Sequence, residues 1–222
     1  MGAGYQIVKS ILKVYVTLFV EDIRVSGLEN IFAGPKIIVA NHPNATDAFM
    51  LPLIFPETLH FLVQASIFEV PFIGRLLAYA EQIPVIAGKG SQALALARKI
   101  LIQGGSVVIF PEGRLNNDQG LHSGHIGAAK LAAQTDVPIL PLGFYVPPGA
   151  LRVFKRRIDN RAASSRWQLG GSCFIRVGQP VQIRPTRQPS KHFENLEYFT
   201  VQIMSKIGEL VYQAKQDAGD RY

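Results

Sequence analysis

The chain has 222 residues, 48% of them hydrophobic and 18% charged, with a net charge of +7 and one cysteine, Cys173. Such a length suits one domain with a sizeable core, and the composition excludes an intrinsically disordered chain. A lone thiol excludes an internal disulfide framework and fits a reducing compartment. Residues 152–187 carry the whole charge excess, nine Arg or Lys against the single acid Asp159. A cluster of this kind attracts phosphate-bearing partners: nucleic acid, anionic lipid headgroups or a phosphorylated carrier. Its aromatics, Phe154, Trp167 and Phe174, are scattered rather than interleaved as on a strand-stacking platform. That favours a lipid surface or a carrier, with no nucleic acid, over the plainer reading of a solvated basic surface.

In chain order, the first element is an apolar segment from Ile7 to Val20, interrupted by Lys9 and Lys13 and followed by Glu21 and Asp22. It falls short of the roughly 20 apolar residues a membrane span needs, and no small-residue cleavage pattern follows it. As a helix it places Lys9, Lys13 and Thr17 on one stripe and apolar residues elsewhere. Such a helix lies in a membrane interface or packs on its own domain. We therefore divide the chain into an N-terminal amphipathic helix, 1–24, and a single domain, 25–222. Buried strands are predicted at 36–40, 59–63, 83–86, 106–110 and 137–144, with a later one at 174–177. Helices are predicted between them near 46–55, 71–80, 91–103 and 124–135. The third is capped by Ser91 and stopped by Gly104. Residues 147–172 read as an irregular insertion. From Ser190 onward, apolar residues at three- and four-residue spacing predict one long amphipathic helix closing over the core. This alternation predicts an α/β fold: a mostly parallel central sheet flanked by helices.

The sharpest motif is Asn41-His42-Pro43-Asn44-Ala45-Thr46-Asp47, which follows a buried strand and opens a helix. Ligands of open α/β sheets bind at that carboxyl edge. Asn44 or Thr46 is placed to cap the helix, and Asp47 is then able to fold back on the imidazole. A carboxylate on one ring nitrogen fixes the tautomer and leaves the other nitrogen to accept a proton. The plain alternative is a helix-capping Asp beside a polar His. The second motif, Phe110-Pro111-Glu112-Gly113-Arg114, also ends a buried strand. Gly113 allows close backbone approach, Arg114 suits a phosphate and Glu112 suits a hydroxyl donor. The plain alternative here is a turn bearing a surface ion pair.

Together the motifs resemble the signature of the glycerolipid acyltransferase superfamily, the 1-acylglycerol-3-phosphate acyltransferase-like family. Its Asn-His-x4-Asp block matches Asn41, His42 and Asp47, and its Phe-Pro-Glu-Gly block followed by Arg matches residues 110–114. A weaker block resembles Val137-Pro138-Ile139-Leu140-Pro141. Two positions depart from the pattern: Ala87 stands where an Arg is expected, with Lys89 two residues on, and Asn44 stands where Ser is frequent. Both departures bear on the acceptor rather than on the chemistry. The resemblance implies that His42 acts as general base, oriented by Asp47, with Asn44, Glu112, Gly113, Arg114 and Lys89 binding substrate. It implies acyl-coenzyme A or acyl-carrier protein as co-substrate and a lipid acceptor, without a further cofactor or metal. It also places the chain at an anionic membrane surface, peripherally on the cytoplasmic face. An acyl tunnel is expected near Phe49, Phe68 and Phe72. No Gly-x-Ser-x-Gly elbow is present, and Cys173 is distant in sequence, so direct transfer is expected over a covalent acyl-enzyme. Two other classes remain: a metal-dependent hydrolase using His42, Asp47, His122 and His125, and a non-catalytic lipid-binding membrane adaptor.

Overall fold

The computed structural model describes residues 2–116, 120–158, 161–184 and 192–219, with backbone only at 156–158, 161–163 and 192–194. Seven strands form the main sheet: β1 (Asp22–Ser26), β2 (Ile37–Ala40), β3 (Leu59–Gln64), β4 (Ile83–Val85), β5 (Ser106–Ile109), β6 (Ile139–Tyr145) and β9 (Ser172–Val177). Their order is β1-β9-β6-β2-β5-β3-β4. Every pairing is parallel except β6 with β9. Two further strands, β7 (Leu151–Ile158) and β8 (Arg161–Gln168), form an antiparallel hairpin of their own.

The strand pleat explains the layers. Ile37 and Val39 point into one core while Ile38 and Ala40 point into the other, as a period of two requires. The first core is covered by α5 (Gly90–Ile102), α6 (Gly127–Thr135) and α7 (His192–Asp217), through Ala97, Leu101, Ala129 and Ile207. The second is covered by α2 (Asp47–Ile54), through Met50 and Leu51. Outside α2 lies α1 (Ala3–Phe19), which also meets α4 (Ile73–Tyr79). Because both faces are covered, the central strands are continuous apolar runs rather than alternating ones.

Several expectations are corrected. Residues 147–172 are not an irregular insertion: most of them form the β7–β8 hairpin and the start of β9. The helix expected over 71–80 is α4, which follows Phe72 at φ 65°; the short helix α3 (Ala65–Phe68) ahead of it was not expected. Neither Ser91 nor any other side chain caps α5, whose N-cap residue is Lys89; Gly104, at φ 86°, does follow its end. The strand β1 was not foreseen, because Asp22-Ile-Arg-Val-Ser shows too short an alternation to stand out. It begins at Asp22, two residues ahead of the 24/25 division.

In α1 the buried side carries Gly4 and Tyr5, with Tyr15 and Val16 packed against the core. The polar stripe does not form the whole outer surface. Lys9 is half-buried and directs Nζ to the Phe55 carbonyl at 3.4 Å, while Ile7, Ile11, Val14 and Leu18 form an exposed row. Among the described residues, no helix is long and apolar enough to cross a membrane.

The longest helix, α7, approaches β6 most closely at Gly143. A Cβ there would lie 2.4 Å from the backbone of Leu210 and Val211. Backbone cannot swing aside as a side chain can, so Gly143→Ala forces α7 off the sheet. The expected loss of stability is about 1–3 kcal/mol, measured as a shift in denaturant midpoint at unchanged slope.

Candidate active site

Register builds the site. β2 and β5 are adjacent and parallel, with Val39 opposite Ile109. Three residues further along each strand, His42 and Glu112 come level at the carboxyl edge. The two loops are joined there: the His42 N–H donates to the Glu112 carboxylate Oε1 at 3.1 Å, and the His42 carbonyl accepts from the Asn116 N–H at 2.8 Å. On the other side, the Asn41 side chain extends the sheet toward β6. Its amide donates to the Phe144 carbonyl at 2.9 Å and its oxygen accepts the Phe144 N–H at 2.7 Å. The His42 backbone is thus tied to the Glu112–Asn116 turn on one side, and its neighbour Asn41 to β6 on the other.

The imidazole and carboxylate meet, with His42 Nδ1 3.3 Å from Asp47 Oδ2. Asp47 begins α2, but neither Asn44 nor Thr46 gives that helix a side-chain cap. Asn44 instead folds the loop upon itself. Its Oδ1 accepts the Thr46 N–H at 2.9 Å and the Thr46 hydroxyl at 2.5 Å. Its own N–H donates to Asp47 Oδ2 at 2.8 Å, and its amide donates to Asp47 Oδ1. Asn44 is fully buried, so it shapes the loop beneath the surface.

Asp47 is 1% exposed and His42 19%. Burial pushes the Asp47 carboxyl above the usual carboxylate range, while the hydrogen bond and charge of His42, then the Asn44 donors, pull it back. With Asp47 ionised, Nδ1 carries the proton and donates to Oδ2, leaving Nε2 as the acceptor. The ring lies flat on Phe110, with centroids 4.0 Å apart and planes 12° apart. Its orientation is therefore fixed by a hydrogen bond at its edge and by packing on its face.

Other site candidates are distributed unevenly. Glu112 is 3% exposed. Besides His42 N–H, it accepts from the Asn116 amide at 2.9 Å and the His122 N–H at 3.0 Å. Its carboxylate is directed inward, toward the loops. Gly113, at φ 66°, and Arg114 are exposed beside it. Lys89 is exposed after β4, three strand positions from β2, which is roughly 14 Å of sheet at ~4.8 Å per strand. Sequence spacing alone could not show that separation. Phe49 packs on Tyr15 and Trp167, whereas Phe72 is 78% exposed, so these residues do not line one tunnel. Cys173, distant in sequence, is close in space. Burial, and then the charge of Asp47, push its thiol well above its ordinary value. The His125 ring rests against Gly113. Among the described residues, no group of three or more His, Cys, Asp or Glu is arranged to hold a metal.

Sequence reasoning missed two contributors. The Phe110 platform is legible only as the residue ending β5. The β8 strand is the other: the Arg166 carbonyl accepts the Ala45 N–H at 2.8 Å, and the Gln168 N–H reaches the Thr46 hydroxyl at 3.4 Å. Glu112→Gln offers an amide where three donors converge, leaving at least one facing another donor. A buried donor stranded this way costs about 1–3 kcal/mol, so the expected result is a matching fall in denaturant midpoint. A midpoint equal to wild type would remove Glu112 as the tie between the loops.

Comparison with known proteins agrees with this geometry. The acyltransferase family model matches residues 22–145, more than half of the chain. A chloroplastic 1-acyl-sn-glycerol-3-phosphate acyltransferase of Arabidopsis thaliana is 33% identical over 125 residues, 54% of this chain and 35% of that protein. A 1-acyl-sn-glycerol-3-phosphate acyltransferase of Pseudomonas aeruginosa is 31% identical over 157 residues, 63% of this chain and 61% of that one. A lyso-ornithine lipid O-acyltransferase of the same organism is 31% identical over 123 residues, 54% of this chain and 46% of its own. The chain spans from about a third to three fifths of the length of these relatives. In structure it resembles the 1-acyl-sn-glycerophosphate acyltransferase of Thermotoga maritima, with a TM-score of 0.70 at 21% identity over 98% of this chain and 80% of that one, which establishes a shared fold. With both motifs inside the matched span, and their loops meeting at one edge of the sheet, the chain belongs to the acyltransferase family.

Proposed function

We propose that the chain is an O-acyltransferase that moves a fatty acyl group from a thioester carrier, acyl-coenzyme A or acyl-carrier protein, to the hydroxyl of a 1-acylglycerol-3-phosphate-like acceptor. The observation that carries this reading is the dyad: Nδ1 of His42 committed to a buried carboxylate, the ring clamped on Phe110, and the side chain still 19% exposed. In the reaction, His42 Nε2 takes the proton of the acceptor hydroxyl as its oxygen attacks the thioester carbonyl. Asp47 stabilises the imidazolium so formed. The tetrahedral adduct then collapses, the C–S bond breaks, and the thiolate takes the proton back from the imidazolium. General base catalysis of this kind contributes roughly 10²–10⁴-fold.

A direct transfer is favoured by the state of Cys173, which is buried with its thiol pushed well above its ordinary value and is a poor nucleophile. Arg114 and Gly113, exposed beside the dyad, are assigned to the acceptor headgroup, and Arg114 offers a planar fork to a phosphate. Glu112 and Asn44 act one step removed, by holding the two loops. The exposed row Ile7, Ile11, Val14 and Leu18 suits α1 to lie at a bilayer surface, where the acceptor resides.

His42→Ala and Asp47→Asn should each lower kcat by about 10²–10⁴-fold without unfolding the chain. The check is a thiol-release assay with acyl-coenzyme A and acyl-carrier protein against lysophosphatidic acid and other hydroxylated lysolipids, with products identified by mass spectrometry. Arg114→Ala should chiefly raise KM for a phosphorylated acceptor. Wild-type rates in His42→Ala would end the proposal, and an unchanged KM in Arg114→Ala would end the headgroup assignment alone.

A further inference from the structure

Beyond the backbone bonds of β8 to the Asn44–Asp47 loop, the β7–β8 hairpin has no part in the chemistry above, yet it is strongly cationic. Residues 151–168 carry Arg152, Lys155, Arg156, Arg157, Arg161 and Arg166 against the single acid Asp159. Each strand has eight residues, and the two pair only with each other. At about 3.3 Å per residue the hairpin extends about 25 Å. Arg152, Val153, Phe154 and Lys155 run consecutively and are all exposed, Val153 at 55% and Phe154 at 49%. Successive strand residues point to opposite faces. Each face of this stretch therefore presents one cation and one large apolar side chain, and neither is covered by the core. A two-stranded ribbon paired only with itself is marginal in water. A surface built only for solubility would carry no Val-Phe pair there.

The root of the hairpin, by contrast, is fixed. Buried Gln168 donates its amide to the carbonyls of Gly170 and Gly171 at 3.2 and 3.1 Å. Tyr15 of α1 donates its hydroxyl to the Gln168 carbonyl at 2.5 Å, and the Gly170 N–H donates to the Phe19 carbonyl at 2.6 Å. The exposed apolar row of α1 thus ends where the hairpin begins.

We propose that the β7–β8 hairpin is a membrane-docking element in its own right, placing its Arg and Lys side chains among anionic lipid headgroups and Val153 and Phe154 at the acyl boundary. Charge complementarity selects an anionic bilayer, and continuity with α1 gives both elements one surface to share. The biological sense of this docking rests on the acyltransferase reading, but the docking itself requires no chemistry.

The test uses the full chain without acyl donor, on vesicles of phosphatidylcholine alone or mixed with anionic phosphatidylglycerol. Binding is read by sedimentation and by the emission of Trp167, the single tryptophan, which stands in β8 beside this surface. The expected result is tighter binding to anionic vesicles that weakens with salt, and a loss of about tenfold in partitioning for Arg152→Glu/Lys155→Glu. Val153→Ser/Phe154→Ser should also weaken binding, and serves if the charge reversal disturbs the fold, as judged by circular dichroism. Ile11→Asp/Leu18→Asp in α1 should leave a residual, salt-sensitive affinity. Hairpin variants that bind anionic vesicles as the wild type does would overturn the proposal. If those variants instead lost only kcat/KM for acyl-carrier protein, the hairpin would serve an acidic protein, which also overturns it. Docking as expected, with no acyl transfer to any acceptor, would sink the acyltransferase reading and leave this one standing.

Discussion

The parallel pairing of β2 with β5 is the constraint on which the whole carboxyl edge depends. Parallel neighbours cannot be joined by a tight turn, and between these two strands the chain runs through α2, β3, α3, α4, β4 and α5. The His42 loop and the Pro-Glu-Gly-Arg turn therefore meet only when that entire crossover has folded. Once Val39 stands opposite Ile109, the equal overhang of three residues brings His42 level with Glu112. The Glu112 carboxylate then closes the gap by accepting the His42 N–H. The spacing within each motif thus expresses sheet register as much as chemistry.

Two acid–base pairs at opposite ends of the sheet each bury one member and leave the other partly exposed. At the amino end, Lys36 is 1% exposed and pairs with Glu57. It also donates to the Gly34 carbonyl at 2.8 Å and lies 5.1 Å from the Phe32 ring centroid. A carboxylate, a carbonyl and a ring thus surround that ammonium, the partnering a buried ion requires. At the carboxyl end, Asp47 is equally buried and its partner His42 is 19% exposed. A carboxyl raised in the folded state favours folding while protonated, and that contribution is lost as pH rises through the folded value. In its ionised form Asp47 is consequently a cost to the fold, offset in part by His42 and then by Asn44. A charge held where burial opposes it is what an arriving proton on His42 would relieve.

The strands and their order of appearance were legible because fully buried parallel strands are short apolar runs punctuated by Gly, Pro and Asn. The dyad was legible because His42 and Asp47 are local in sequence, joined by one tight loop. What lay hidden depended on distance. The hairpin at 151–168 was read as irregular because its alternation mixes Arg with Val and Phe, so hydrophobic periodicity carries no signal there. Lys89 was placed by its two-residue offset from Ala87, which says nothing of the strand order that sets it aside from β2. Cys173 looks remote in sequence because β9 enters the sheet, between β1 and β6, only after all the other strands.

The Asn44–Asp47 loop is where these long-range elements converge. Its Ala45 N–H is held by the Arg166 carbonyl of β8, and its Thr46 hydroxyl by the Gln168 N–H. The next turn of α2 presents Phe49 edge-on to both Tyr15 of α1 and Trp167 of β8. A displacement of either α1 or the hairpin would therefore be felt by the backbone that aims Asp47 at His42, over a few hydrogen bonds and two ring contacts. An enzyme whose acceptor resides in a bilayer needs its reacting groups oriented relative to that surface, not merely near it. Under the proposed docking, building the aspartate loop onto α1 and the hairpin, both of which carry exposed apolar side chains, would supply such an orientation.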